Sequence, residues 1–149
     1  MSNIYEPSTL QEFTWRIESL HVNSPNLWGK MNVAQMLAHC SIVLEVALGD
    51  RPLKRGIMGI IFGRLAKNVI TNDKPFKRNL PTDKSFVVSD QHEFLAEQKR
   101  LLELLNRFSK AGPAIMEGKS HPFFGEMTAD EWSMSQIKHL DHHLRQFGA

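Results

Sequence analysis

The chain is 149 residues long, with 42% hydrophobic and 23% charged residues and a mean hydropathy of -0.31. This profile fits one folded domain spanning 1–149 and excludes a disordered, fibrous or membrane-spanning polypeptide. The single cysteine, Cys40, rules out an intramolecular disulfide and a thiolate zinc cage, and the net charge of +2 is too mild to imply nucleic acid.

A secretory start is not evident, and no apolar run approaches the roughly 18 residues of a membrane span, so a reducing, cytoplasmic setting without membrane contact is expected. Ser8 stands three residues before Gln11, a capping-box spacing, and Leu10, Phe13, Ile17 and Leu20 recur at helical intervals. These signals predict a first helix over about 9–21. Asn32 with Gln35 repeats the start signal. The run from Val33 to Leu48 ends at Gly49, which suits a left-handed cap, and its apolar residues cover over half the circumference of a central helix.

Residues 50–89 form a long crossover. It opens as RGIMGIIFGRLAKNVI, which suits a short helix, and continues through two prolines and several turn residues as a loop. Between Arg51 and Lys84 stand nine lysines and arginines against two acids, a local balance of +7 that leaves -5 for the rest. Asp90 with Glu93 opens a third helix carrying Phe94, Leu95, Leu101, Leu102, Leu105 and Phe108 on one arc, stopped by Gly112 and Pro113. Thr128 with Glu131 opens a fourth through Trp132, Met134, Ile137, Leu140 and Leu144. With no repeat and no sustained alternation, the expected architecture is all-α: a four-helix bundle with one long crossover between its second and third helices.

Seven histidines occur, three of them in HLDHH at 139, 142 and 143. At about 100° per residue, His139 and His143 share a face with Trp132, Gln136 and Leu140, one above the other, so two imidazoles can grip one ion. His142 is turned by about 100° from His143, outward or toward a supporting role. A helical pair alone is a weak signal. His39, mid-helix among Met36, Ile42, Val43 and Val46, is either a satisfied core histidine or a third ligand between the second and fourth helices.

His39 in MNVAQMLAHC, preceded by Trp28 in LWGKM, and His139-x-x-x-His143-x-x-Gln146 in KHLDHHLRQFG resemble the metal-binding motifs of the DinB-like four-helix bundles. That superfamily includes the YfiT-like metal-dependent hydrolases; the WGKM and HPFFGEMTADEW stretches are similar to an uncharacterised bacterial branch of it. The resemblance runs through the whole chain in helix order. It implies a bundle with a long crossover, a divalent metal held by His39, His139 and His143, and either thiol S-transfer or hydrolysis, since characterised relatives include thiol S-transferases while many members have no assigned reaction.

Cys40 falls in the apolar arc with Val33, Leu37 and Leu44, about 100° from His39, and reads as a small core residue rather than a nucleophile. His121 reads as a turn histidine before proline, with approach to an open metal position as its alternative; His92 and His21 read as solvated. The basic crossover is a solvated connector or, more sharply, a rim that attracts an anionic substrate or a carboxylate-bearing thiol cofactor. Three histidines leave an open position, as catalytic metals do, and imidazole suits zinc, nickel and iron alike. Water or a low-molecular-weight thiol there would supply hydroxide or thiolate near neutral pH, and ligation should fail below the reference histidine pKa of about 6.5. Asp141 points nearly opposite His143, so no acid is placed as a general base. The expected function is a metal-dependent S-transferase or hydrolase acting on a small molecule. A non-catalytic metal- or small-molecule-binding bundle is the alternative, and a homodimer is left open.

Overall fold

Among the described residues, five α-helices, in the order α1 (Pro7–Glu18), α2 (Val33–Leu48), α3 (Ile57–Thr71), α4 (Phe94–Met116) and α5 (Ala129–Gln146), make up most of the chain. The computed structural model describes residues 2–54 and 56–149, leaving aside the side chains of Met58 and Arg64. Arg55, one of the crossover cations, lies outside the described residues. Among these residues the sheet is a single hairpin, β1 (Ser120–His121) against β2 (Gly125–Glu126), with His121 opposite Gly125.

Local chemistry explains the boundaries. The two helices that carry the candidate ligands open on complete capping boxes: Asn32 with Gln35 before α2, Thr128 with Glu131 before α5. Gly49 closes α2 at φ 89°, where a side chain would be strained. Helix α1 departs from the expected 9–21. Its N-cap is Glu6, and Pro7 at the first helical position sets the start, because a ring-fixed φ needs no hydroxyl cap at Ser8. The helix stops at Glu18, leaving Leu20 buried just beyond it. Glu93, not Asp90, caps α4, accepting the N–H groups of Leu95 and Ala96. Leu95 is exposed rather than part of the core arc. Gly112 breaks α4 at φ 77° as expected, and Pro113 then starts one further turn to Met116.

The core joins α1, α2, α4 and α5. Helix α2 packs most extensively on α4, and α5 packs on α2 and α4, burying Ile17, Leu37, Leu44, Leu105, Phe108 and Trp132 in one cluster. Cys40 belongs to it, and burial pushes its thiol pKa up, so it is inert as a nucleophile.

Helix α3 is longer than the short helix expected and stands outside that core, against α5 and β2. Two devices seat it. Gly59 and Gly63 face the hairpin, where a Cβ on Gly63 would collide with the Phe123 carbonyl. From α5, the buried Lys138 ammonium donates to the Val69 carbonyl at 2.6 Å and to Asn72 Oδ1 at 2.8 Å, a cation at the negative end of the α3 dipole. No helix among the described residues is long and apolar enough to cross a membrane.

Candidate metal centre

Helix α2 delivers His39 from a buried position, and α5 delivers His139 and His143 one turn apart. The ring nitrogens of the three come within 4.8 Å of one another, so the cluster can hold a metal ion. Hydrogen bonds assign the tautomers. His39 Nδ1 lies 2.7 Å from the Phe86 carbonyl; a carbonyl only accepts, so Nδ1 carries the proton and Nε2 presents its lone pair. His143 Nδ1 lies 2.8 Å from Gln146 Oε1. The Gln146 amide is itself oriented, because its Nε2 donates to the Trp28 carbonyl at 2.7 Å, which leaves Oε1 to accept from His143. Both anchored imidazoles therefore turn Nε2 inward, as metal-bound histidines supported by outer hydrogen bonds do. Gly29 stands at φ 80°, and a Cβ there would come within 2.6 Å of Gln146 Nε2.

The donor set fits a divalent cation. His39 Nε2 faces His139 Nε2 at 2.9 Å, and the His39 lone pair in that contact needs a shared proton or a shared cation. Burial holds all three rings neutral. It lowers the His139 pKa well below the ordinary 6.5 and that of His143 to about 3. It lowers that of His39 too, against the hydrogen bond to Phe86. Neutral imidazole thus persists to more acidic pH than the reference value of 6.5 implied.

A cavity of about 560 Å³ opens onto this cluster, walled by Trp28, Ile70, Phe76, Phe86 and Phe123 and including His121, Gln136 and His142. His142 lies edge-on to both Trp28 and Phe76, at 5.5 and 5.8 Å between ring centres. His121 ends β1 directly before the turn at Pro122. It is buried on the hairpin, stacked on Phe124 at 4.3 Å, and burial lowers its pKa to about 4. His92 is held between Glu97 and Asp90 at 2.9 and 3.2 Å, which raises its pKa, while His21 is exposed as expected. The carbonyl of Phe86, the hairpin and the enclosure of Gln136 escaped the sequence reading. For Gln136 the signal was its place on the His139 face.

The crossover lies over the histidine-bearing end, since Phe76, Asn79, Leu80 and Asp83 line the cavity. Arg78 packs 4.3 Å over the Trp28 ring, and Lys74 and Lys77 are exposed. Asp83 Oδ1 is occupied by the Ser85 N–H and hydroxyl at 2.9 and 2.7 Å, bonds that hold its pKa down. Asp141 pairs with Arg16 and Arg145.

Fold and site together define a mostly helical protein with a three-histidine cluster, able to hold a metal, opening onto an apolar cavity. The chain belongs to the DUF1569 family, described as a protein of unknown function, whose model matches residues 6–149. No curated protein and no solved structure matches it.

Proposed function

We propose that this chain is a cytoplasmic metal-dependent enzyme built as a DinB-like four-helix bundle, with His39, His139 and His143 as the metal ligands and thiol S-transfer as its reaction, ahead of hydrolysis. The observation that carries the reading is the convergence of the three imidazoles, with Phe86 and Gln146 tethering Nδ1 of His39 and His143. The helix order supports the bundle, since α1, α2, α4 and α5 share the core while the crossover spans from α2 to α4. Zinc, nickel and iron all suit the donor set. A bound divalent ion supplies the Lewis acidity that lowers the pKa of a water or thiol at its open position.

The chain's own residues divide the remaining work. Trp28, Phe76, Phe86 and Phe123 exclude water and hold an apolar small molecule over the histidines. Lys74, Lys77 and Arg78 attract an anionic end of the substrate or of a low-molecular-weight thiol at the rim. Thiol transfer is favoured because it needs no general base once the thiol is ionised, and Asp83, in the cavity wall, is engaged by Ser85. The same engagement favours a second reading, a non-catalytic binding bundle. Metal analysis of protein purified without a histidine tag, followed by turnover assays with low-molecular-weight thiols plus an electrophile, tests both. Bound metal with conversion of the electrophile supports the enzyme, and bound metal without turnover of any thiol or ester supports the binding bundle.

A further inference from the structure

Gln136 stands on α5 one turn before His139, lines the cavity and is 3% exposed. Its Oε1 is buried and has no donor among the described residues, an arrangement that native interiors rarely leave unexplained. One turn further back, Trp132 packs against His121 at 5.3 Å between ring centres. His121 Nδ1 accepts the backbone N–H groups of Phe123 and Phe124 at 3.0 and 3.4 Å, so the single proton of this neutral ring sits on Nε2. No acceptor among the described residues takes it. The cavity lining therefore includes a buried acceptor without a donor on α5 and, on the hairpin that packs against Trp132, a donor with no protein acceptor among the described residues.

We propose that Gln136 and His121 together read a neutral hydrogen-bonding group of the ligand, a hydroxyl or a carboxamide, held roughly 7.5 Å from the ligand atom that meets the three histidines, the span set by the 1.5 Å rise per residue between Gln136 and the midpoint of His139 and His143. The inference deepens the function proposed above and rests on it only for the metal-binding end of the ligand. A hydroxyl or carboxamide donates to Oε1 and accepts from His121 Nε2–H. A carboxylate brings a second acceptor against Oε1, and an alkyl group leaves both partners unmet. An anionic group of the substrate thus belongs at the rim beside Arg78, and the inner end is neutral. Phe86 and Phe123, packed edge-to-face at 5.7 Å between ring centres, form one aromatic wall of the cavity, against which a flat apolar spacer between the two ends can lie.

Benzenethiols that differ only para to sulfur, as carboxamide, hydroxymethyl, methyl or carboxylate, test this. They are titrated into cobalt-loaded protein, followed by thiolate-to-cobalt absorption, and into metal-free protein, followed by calorimetry. In both forms the carboxamide and hydroxymethyl compounds should bind about ten-fold tighter than the methyl compound, and the carboxylate more weakly than the carboxamide. Gln136→Leu should reduce the preference to within about two-fold while keeping the affinity for the methyl compound. Equal affinities in the parent, or a preference that survives Gln136→Leu, overturns the proposal. Because the substitution removes an unmet polar group it should fold; Gln136→Met and His121→Phe repeat the test if it does not. Cobalt bound without any para-group preference would sink this inference alone, and a calorimetric preference without cobalt binding would sink the metal reading alone.

Discussion

Gln146 Oε1 accepts the Nδ1–H of His143 at 2.8 Å while its Nε2 donates to the Trp28 carbonyl at 2.7 Å. One amide therefore fixes both the tautomer of a candidate ligand and the loop before α2. Gln146→Ala frees the ring to turn and should weaken metal binding about 10–100-fold with helix content unchanged. Gly29→Ala, forced against Gln146 at a left-handed φ, should weaken it in the same direction. Chelator competition gives the affinities; an unchanged Gln146→Ala value would remove the support role.

The buried histidines make metal-free stability pH-dependent. His121 titrates at about 4 and His143 at about 3 in the folded chain, against an ordinary 6.5 for an unfolded one. Between those values the unfolded state binds more proton than the folded state, so stability falls as pH drops, with a limiting slope of about 1.4 kcal/mol per pH unit for each ring. Thermal melts of metal-free protein from pH 7 to pH 5 should show Tm decreasing, and His121→Phe should flatten the decline. Parallel curves for parent and variant would show that His121 is not held neutral by burial.

How much of this was legible beforehand depends on where each signal resides. Asn32 with Gln35 and Thr128 with Glu131 announce the edges of α2 and α5, and the spacing of His139 and His143 announces a shared face, because caps and helical periodicity are local. The support of His39 is not local: its partner is a backbone carbonyl at Phe86, 47 residues away, and carbonyls leave no trace in a sequence. The strands at His121 and Gly125 are two residues long, too short for alternation, so the burial of His121 went unseen. At α1 two local signals compete: the Ser8 spacing puts the start near 9, whereas Pro7 at the first helical position sets it two residues earlier.

The seat of α3 on the hairpin gives a stability prediction. Gly63→Ala places a Cβ against the Phe123 carbonyl and should cost about 1–3 kcal/mol through overpacking. Gly56→Ala, with nothing within 4 Å of its Cβ, should cost under about 1 kcal/mol. Denaturant midpoints distinguish the two; equal losses would mean that α3 does not depend on this contact.

Neutralising Lys74, Lys77 and Arg78 together should raise the apparent KM for an anionic substrate and leave metal content unchanged, since the ligands are untouched. The effect should fade as salt rises, because exposed charges act over about 10 Å at 0.1 M. A triple variant that turns over substrate like its parent at low salt would make the crossover a solvated connector.

The most direct test of the three-histidine centre is the metal content of untagged protein, measured beside circular dichroism for the parent and for His39→Ala, His139→Ala and His143→Ala. About one divalent ion per parent chain is expected, with loss of that ion in each variant and helical spectra throughout, because the core at Leu37, Leu105 and Phe108 forms without it. A parent chain without metal, or variants that keep it, would mean that the three histidines are not a metal centre.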